Sequence, residues 1–233
     1  MQSKNTNTHH KNGFFAVLVA GGIGKRFGHS KPKQFCLLEN KPILKWSAEV
    51  FLSMTECLQL VIVSHPDWIS ATEDIIYSSA FSDKVLIIPG GITRQASCRN
   101  GIMAIDADDL SPVLIHDAAR PWVTRRLVKT VYNAVLTGND AVIPIDKSTD
   151  SIVICKNNVV VDYPDRTNVA HVQTPQGFRL GVIRKAHLEA MKSQTDDYVY
   201  PDDGVIALKA GYPVVTVSGE PENRKVTLPG DTA

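Results

Sequence analysis

Short runs of apolar, often β-branched residues recur along the chain and alternate with stretches of helical spacing. The apolar runs are Phe14–Val19, Leu58–Ser64, Lys84–Pro89, Pro112–His116 and Ala141–Ile145. Near-continuous hydrophobicity is typical of parallel strands that helices cover on both faces. Apolar residues three and four positions apart predict helices at Pro42–Ser53, Asp67–Ser79, Arg94–Ile105 and Thr124–Leu136. This alternation predicts right-handed βαβ units, and therefore an α/β fold with a doubly wound, mostly parallel sheet.

The pattern changes after Pro144. Two short strand-like segments, Ser151–Ile154 and Val159–Asp162, flank Asn157-Asn158, which predicts a hairpin that projects from the sheet. Further along, helices are predicted at Leu180–Met191 and Asp202–Ala210, and a last strand at Pro213–Val217. We therefore expect a disordered polar tail at residues 1–12 and a single domain at 13–233, with an arm inserted at about residues 146–171.

Charge and composition exclude several classes of protein. The 233 residues carry 25 Lys+Arg against 24 Asp+Glu, a formal net charge of +1, which argues against a nucleic-acid-binding or membrane-surface protein. The longest apolar run, Phe14–Ala20, is too short to span a bilayer. Four scattered cysteines without a C-x-x-C pair and a polar first segment without a signal-like apolar stretch indicate a cytoplasmic protein, or a stromal one in a plastid-bearing organism.

A glycine-rich loop, Ala20-Gly21-Gly22-Ile23-Gly24-Lys25-Arg26-Phe27-Gly28, follows the first predicted strand. It is not a Walker A loop, because Arg26 stands where Ser or Thr is required, and the dinucleotide fingerprint fails at Phe27. Glycines allow backbone N–H groups to approach an anion closely. With Arg26 and Lys33 beside it, the loop favours binding of a triphosphate. The alternative is a tight strand-to-helix turn with solvated basic residues.

Six segments together resemble a known family. The loop and the following Pro32-Lys33-Gln34-Phe35 are similar to the opening signature of nucleotidyltransferases that activate sugar and polyol phosphates. Five later segments extend the resemblance: residues 90–97 (GGITRQAS), 116–121 (HDAARP), 165–166 (DR), 173–176 (QTPQ) and 223–227 (NRKVT). The resemblance covers about Phe14–Pro229 and points to the 2-C-methyl-D-erythritol 4-phosphate cytidylyltransferase family, with the ribitol 5-phosphate cytidylyltransferases as the near alternative. It implies a Rossmann-like nucleotidyltransferase sheet with a protruding β-arm.

The resemblance also implies a role for each matched residue. The catalytic residues would be Arg26, Lys33, Arg166 and Lys225. The CTP-binding residues would be Ala20, Gly21, Gly22, Gly24, Gly91, Arg94, Ser97, Asp117 and Ala118. The polyol-phosphate-binding residues would be Arg120, Ser151, Arg166, Thr174 and Lys225. Mg²⁺ is expected near Asp117, and a homodimer through the arm would bring Arg166 to a neighbouring site; His116 is expected to be a packed residue.

Several alternatives stay open at the level of sequence. The segment after Pro144 is longer than the family pattern, so Ser148 or Thr149 could take the place of Ser151. Pro201 replaces the threonine of the usual T-D-D element. The residues also permit a catalytically weak nucleotide-binding protein. The presence of Arg26, Lys33 and Lys225 together argues against it, because a binding protein has no evident need for all three cations. We expect the basic residues of the motifs to converge on one phosphate-rich cleft; they are Arg26, Lys33, Arg94, Arg120, Arg166 and Lys225.

Overall fold

The computed structural model of the chain describes residues 13–22, 31–77, 82–193 and 200–232; the predicted disordered tail at 1–12 lies outside these ranges. Its strands are β1 (Phe14–Ala20), β2 (Leu37–Leu38), β3 (Lys41–Pro42), β4 (Cys57–Ser64), β5 (Val85–Pro89), β6 (Pro112–Asp117), β7 (Ala141–Lys147), β8 (Ile154–Lys156), β9 (Val159–Asp162), β10 (Ala170–Val172), β11 (Gln176–Arg179) and β12 (Val214–Ser218). Its helices are α1 (Ile43–Leu52), α2 (Ile69–Tyr77), α3 (Arg94–Met103), α4 (Arg125–Leu136), α5 (Leu180–Ser193) and α6 (Asp203–Lys209). The predicted alternation of strands and helices is confirmed.

Within the described residues, the central sheet has eight strands. Seven lie in the order β10-β7-β11-β6-β1-β4-β5, and β12 pairs with β7. β1 pairs in parallel with both β4 and β6, and β4 pairs in parallel with β5. β10 and β11 run antiparallel to their neighbours. The sheet is therefore mostly parallel, as the sequence predicts.

Successive residues of β1 contribute to two different hydrophobic cores. Leu18 belongs to the core that contains Phe51 of α1 and Val131 of α4. Val17 belongs to the core that contains Ile102 of α3 and residues of α5 and α6. Because helices cover both faces of the sheet, both sets of β1 side chains are apolar, and this explains the continuous hydrophobic run in the sequence.

The carboxyl ends of the parallel strands meet at one edge of the sheet. The register places Ala20 of β1 beside Ser64 of β4, and Ser64 beside Pro89 of β5. Asp117, the last residue of β6, lies beside Val19 of β1. In open α/β sheets this edge is where ligands bind. The glycine-rich loop, the Gly90-Gly91 loop and the loop after Asp117 all begin here.

The predicted hairpin is confirmed by β8 and β9, which form a separate two-stranded sheet. Asn157 and Asn158 connect them with φ angles of 49° and 63°, the left-handed values of a type I′ turn. The first strand begins at Ile154, three residues later than the start predicted at Ser151. The predicted domain and arm boundaries remain predictions.

Strand β11 is not among the strands that the sequence pattern predicts, because it begins inside the QTPQ segment, whose residues indicate a binding motif. It inserts antiparallel between β6 and β7. A Cβ atom at its Gly177 would lie 2.6 Å from a methyl group of Val131, so the close packing of α4 on the sheet requires glycine there.

Among the helices of the described ranges, none has the length and apolar character needed to cross a bilayer.

Candidate active site

A cavity of about 670 Å³ opens at the carboxyl edge of the sheet. Five parts of the chain line it: the end of β1 with the glycine-rich loop, the Lys33-Gln34 pair, His65 after β4, the Gly91 loop with the start of α3, and the loop after β6 together with the C-terminal segment. The residues that line it include Ala20, Gly21, Gly22, Lys33, Gln34, Gly91, Arg94, Ser97, Asp117, Ala118 and Lys225. The cavity has the size of a small-molecule site.

Gln34 fixes the start of the glycine-rich loop. Its side chain is 3% exposed, and its Nε2 atom donates hydrogen bonds to the carbonyl oxygens of Ala20 (2.5 Å) and Gly22 (2.9 Å). Two carbonyls of the loop are thereby turned toward the protein. The sequence predicts a role for the neighbouring Lys33 and none for Gln34, although its place in the Pro32–Phe35 motif was a usable signal. Of the predicted ligands in this loop, Gly24 and Arg26 lie outside the described residues.

Ser97 shapes the second glycine loop. Its Oγ atom accepts a hydrogen bond from the N–H of Gly91 (3.1 Å) and donates to the carbonyl of Thr93 (3.0 Å). Thr93 in turn caps α3 by accepting from the N–H of Ala96. A Cβ atom at Gly91 would clash with the Cβ of Ala96, so the loop can close over the helix only with glycine at this position. Gly91 and Ser97 therefore form a compact wall of the cavity.

Asp117 lies between two cations at the inner end of the cavity. Its Oδ1 atom accepts from Arg94 Nε at 3.1 Å, and its Oδ2 atom accepts from Lys225 Nζ at 2.7 Å. The Asp117 side chain is 10% exposed. Burial would raise the pKa of this carboxyl, but the charges of Arg94 and Lys225 outweigh burial and hold the pKa well below its usual range. The cluster consists of one carboxylate and two cations.

The backbone of Asp117 is held by a buried chain of hydrogen bonds. Thr174 Oγ1 accepts from the N–H of Asp117 (3.2 Å) and lies 2.9 Å from His116 Nδ1, while His116 Nε2 lies 3.2 Å from the carbonyl of Arg120. His116 is fully buried, and burial lowers its pKa to about 4, so the ring is neutral at pH 7. One arrangement satisfies every group: the Thr174 hydroxyl donates to Nδ1, and Nε2–H donates to Arg120.

The C-terminal segment closes one side of the cavity. Lys33 Nζ donates to the carbonyl of Val226 at 2.6 Å, and the N–H of Val226 donates to the carbonyl of Ala119 at 2.8 Å. Arg120 reaches the same segment by donating from Nη1 to the carbonyl of Asn223 at 2.7 Å. These contacts bring Lys33 and Lys225 to one cavity, although most of the chain separates them in sequence.

Of the predicted polyol-phosphate ligands, the structure brings Lys225 into the cavity. Thr174 is 3% exposed, and Arg120 packs against the C-terminal segment; neither is among the described residues that line the cavity. Ser151 and Arg166 are exposed on the arm, where Arg166 Nη1 donates to the carbonyl of Thr149 at 3.3 Å. The expected convergence of all the cations on one cleft is thus observed for Lys33, Arg94 and Lys225. The ligand roles of all the predicted site residues stay predictions.

The side chains around the cavity can be compared with the ligands that the expected Mg²⁺ ion requires. Within the described ranges there is no group of three or more His, Cys, Asp or Glu side chains that could hold a metal. Mg²⁺ on a nucleotide, however, needs one or two carboxylates besides phosphate oxygens and water. A carboxylate offers about four acceptor positions, and Arg94 and Lys225 occupy two of those on Asp117. Asp117 therefore fits a single shared ligand of a nucleotide-bound ion.

Comparison with known proteins gives a consistent result. A family model described as 2-C-methyl-D-erythritol 4-phosphate cytidylyltransferase (IspD) matches residues 14–233. The 2-C-methyl-D-erythritol 4-phosphate cytidylyltransferase of Thermobifida fusca is 35% identical over 226 residues, covering 94% of this chain and 90% of the relative. The bifunctional enzyme IspD/IspF of Rhodopseudomonas palustris (strain BisB18) is 38% identical over 218 residues, covering 93% of this chain and 53% of the relative, so the chain spans about half the length of such relatives.

A solved structure extends the comparison to the fold. The crystal structure of 4-diphosphocytidyl-2C-methyl-D-erythritol synthase from Anaerococcus prevotii superposes with a TM-score of 0.81 at 26% sequence identity. The superposition covers 95% of this chain and 93% of that one. The similarity therefore includes the sheet, its flanking helices and the segments that line the cavity.

Proposed function

The chain belongs to the 2-C-methyl-D-erythritol 4-phosphate cytidylyltransferase family, and from this premise we propose that it transfers the cytidylyl group of CTP to 2-C-methyl-D-erythritol 4-phosphate. The observation that carries the proposal is the cluster in which Asp117 lies between Arg94 and Lys225, at the end of a cavity that also contains the glycine-rich loop. Such a site combines cations for phosphates with a rigid backbone wall for a nucleoside.

The reaction requires charge stabilisation more than proton transfer. A phosphate oxygen of the polyol substrate attacks the α-phosphorus of CTP, the new P–O bond forms, and the bond to the β-phosphate oxygen breaks to release pyrophosphate. The attacking oxygen is already anionic near neutral pH, so no general base is needed. Cations and oriented amides must bring two anions together and stabilise the charge on the α-phosphoryl oxygens. Lys33 and Lys225 supply charge from the side of the cavity that the C-terminal segment closes, and Arg26 would add charge from the glycine-rich loop.

The nucleotide would lie across the carboxyl edge of the sheet. Its triphosphate would lie against the backbone of residues 20–22, where Gln34 holds the carbonyls of Ala20 and Gly22, and Gly24 would add a further contact. Its base and ribose lie against the second wall, formed by Gly91, Arg94 and Ser97 and by Asp117 and Ala118. Because the hydrogen bonds of Ser97 and Gly91 hold this wall close to the helix, the space favours a pyrimidine over a larger purine.

Magnesium enters the proposal as a partner of the nucleotide. When bound, Mg²⁺ would neutralise the triphosphate oxygens and make the α-phosphorus more electrophilic. Asp117 would hold it through an acceptor position that Arg94 and Lys225 leave open. Lys225 remains near enough to contact the phosphate of the second substrate.

We also propose that the enzyme is a homodimer that exchanges its arms. The arm exposes Val159 and Val161, which alternate along β9 and share one face, and Tyr163 just after the strand, at 62%, 50% and 69% exposure. An exposed apolar stripe of this kind suits contact with a second copy. In the dimer, Arg166 and Ser151 of one protomer would reach the polyol phosphate in the other. Because CTP is an intracellular nucleotide, the proposed reaction would take place in the cytoplasm, or in the stroma of a plastid-bearing organism.

The proposal is tested with the purified 233-residue chain, CTP and Mg²⁺. Release of pyrophosphate is measured with 2-C-methyl-D-erythritol 4-phosphate and, separately, with ribitol 5-phosphate. Release with the first acceptor and much less with the second supports the proposal. The reverse preference assigns the chain to the ribitol enzymes, and binding of CTP without turnover on either acceptor indicates a nucleotide-binding protein.

A further inference from the structure

The guanidinium of Arg94 binds two carboxylates from distant parts of the chain. Its Nε atom donates to Asp117 Oδ1 at 3.1 Å, and its Nη1 atom donates to Asp203 Oδ2 at 2.9 Å. Asp203 is the first residue of α6, and 109 residues separate it from Arg94. An arginine fork commonly binds both oxygens of one carboxylate. Here each carboxylate receives one bond instead.

Asp203 lies outside the cavity and is held from several sides. Its side chain is fully buried. Its Oδ1 atom lies 2.9 Å from Nε2 of His187, which is also fully buried, and its Oδ2 atom receives a contact from Cys98 Sγ at 3.5 Å. The N–H of Asp203 donates to Gln176 Oε1 at 3.1 Å. Burial would raise its pKa, but the Arg94 charge and the His187 hydrogen bond bring it to about 2, so Asp203 is ionised at neutral pH.

A buried carboxylate is costly unless each oxygen has a partner. α6 does not need this charge to begin, because Asp202 supplies the N-cap by accepting from the N–H of Val205. The partners of the Asp203 carboxylate instead connect α5, through His187, to the Arg94 side chain that lines the cavity. The buried charge of Asp203 therefore fixes one end of the Arg94 guanidinium.

We propose that Asp203 is a positioning residue for the reaction, acting through Arg94 on Lys225. By holding Nη1 of Arg94, Asp203 limits Arg94 to one oxygen of Asp117 and leaves the other oxygen to Lys225. The four groups then carry two negative and two positive charges, and Lys225 Nζ has a defined place at 2.7 Å from Asp117. Without the Asp203 charge, Arg94 takes both oxygens of Asp117 and Lys225 is displaced. This inference rests on the proposed function for its kinetic part alone.

The test uses Asp203→Asn, which keeps the shape of the side chain and removes its charge. Its matched control is Asp202→Asn, which changes the preceding residue and keeps an acceptor for the helix cap. We expect the crystal structure of D203N to show Arg94 on both oxygens of Asp117 and Lys225 Nζ more than 4 Å, the limit for an ion pair, from Asp117. Retention of the 2.7 Å contact in D203N would overturn the inference, whatever the activity of the enzyme.

A double-mutant cycle gives the kinetic test. In the native chain we expect D203N to lower kcat/KM about tenfold, and in the Lys225→Ala background less than about twofold, because coupled residues are not additive. An equal loss in both backgrounds indicates a general structural role and rejects the inference. Should D203N fail to fold, Asp203→Ser, which also removes the charge, replaces it in the same cycle with the same expectations. An inactive native chain would contradict the proposed function, and the crystal structure would still decide the role of Asp203.

Discussion

Lys225 Nζ lies 2.7 Å from Asp117 Oδ2, although 108 residues separate the two. Asp117 ends a central strand, and Lys225 lies in the C-terminal segment, so the site depends on the position of that segment. The segment is fixed by backbone contacts, since the N–H of Val226 donates to the carbonyl of Ala119. Lys225, which we propose binds phosphate, is thus held at the sheet by the hydrogen bond of the adjacent Val226.

Replacing Lys225 with methionine should remove charge without removing the packing of its stem. We expect kcat to fall by roughly 10²- to 10³-fold, the usual loss for one electrostatic stabiliser of a transition state. The free energy of unfolding should fall by at most about 1 kcal/mol, since the lysine is 38% exposed and Arg94 still pairs with Asp117. Steady-state kinetics and urea unfolding measure both. The control, Lys129→Met, removes a surface ion pair with Glu56 and should leave kcat unchanged.

Lys33 should be needed for turnover and not for folding. Lys33 lines the cavity, and its Nζ atom donates to the carbonyl of Val226. In this position the ammonium group can also contact phosphate oxygens. We expect Lys33→Ala to lower kcat/KM for CTP by roughly 10²-fold with an unchanged circular dichroism spectrum. Lys31→Ala changes an exposed lysine two residues away and serves as the control. Turnover at the native rate in K33A would contradict the role given to Lys33.

Acid should destabilise the protein through His116. The folded chain keeps this ring neutral until about pH 4, whereas the unfolded chain protonates it near the ordinary value of 6.5. The unfolded state therefore binds more protons between these values, and stability is lost as the pH falls from 6.5 toward 4. At 1.36 kcal/mol per pKa unit, the full loss from this ring is about 3 kcal/mol.

The measurement is the free energy of unfolding by urea at several pH values between 5 and 7. His116→Asn keeps an acceptor for Thr174 and removes the titrating ring. We expect the variant to be less stable at pH 7 and its stability to vary less with pH. A slope identical to that of the native chain would show that another group causes the acid sensitivity.

The arm should control both assembly and activity. Val159→Glu combined with Val161→Glu places two charges on the exposed apolar face of β9 and should convert the proposed dimer into a monomer in light scattering. Activity should fall with it, because Arg166 would no longer reach a neighbouring site. Val215→Glu, which changes a valine of β12 that is 39% exposed, is the matched control. A double variant that remains dimeric and active would reject the proposed use of the arm.

Much of the site follows from the sequence because parallel strands end at a common edge. The continuous apolar runs predict the parallel strands, and the family resemblance assigns Gly21, Gly91 and Asp117, which follow or end three of them, to one site. Lys225 is predicted at the same site only because residues 223–227 resemble a motif of the family. In the folded chain these four residues line one cavity.

Other parts could not be predicted because they depend on contacts between distant side chains. The Pro32–Phe35 motif singles out Gln34 but does not indicate its hydrogen bonds to the glycine-rich loop. Nothing in the local pattern indicates that Asp203 binds Arg94, since that contact arises only when distant segments pack together. β11 is four residues long and contains Gly177, whose presence reflects the packing of α4 and not a preference for strand. The first strand of the arm starts late because the two-asparagine turn fixes the pairing of Lys156 with Val159.

The proposed function depends on which polyol phosphate accepts the cytidylyl group, and a competition between the two acceptors measures that preference. The purified chain is given CTP, Mg²⁺ and equal concentrations of 2-C-methyl-D-erythritol 4-phosphate and ribitol 5-phosphate, and the cytidylyl products are separated and quantified by mass spectrometry. The product ratio equals the ratio of the two kcat/KM values. We expect 4-diphosphocytidyl-2-C-methyl-D-erythritol in excess on the order of a hundredfold. A product mixture dominated by CDP-ribitol, or neither product, would contradict the account.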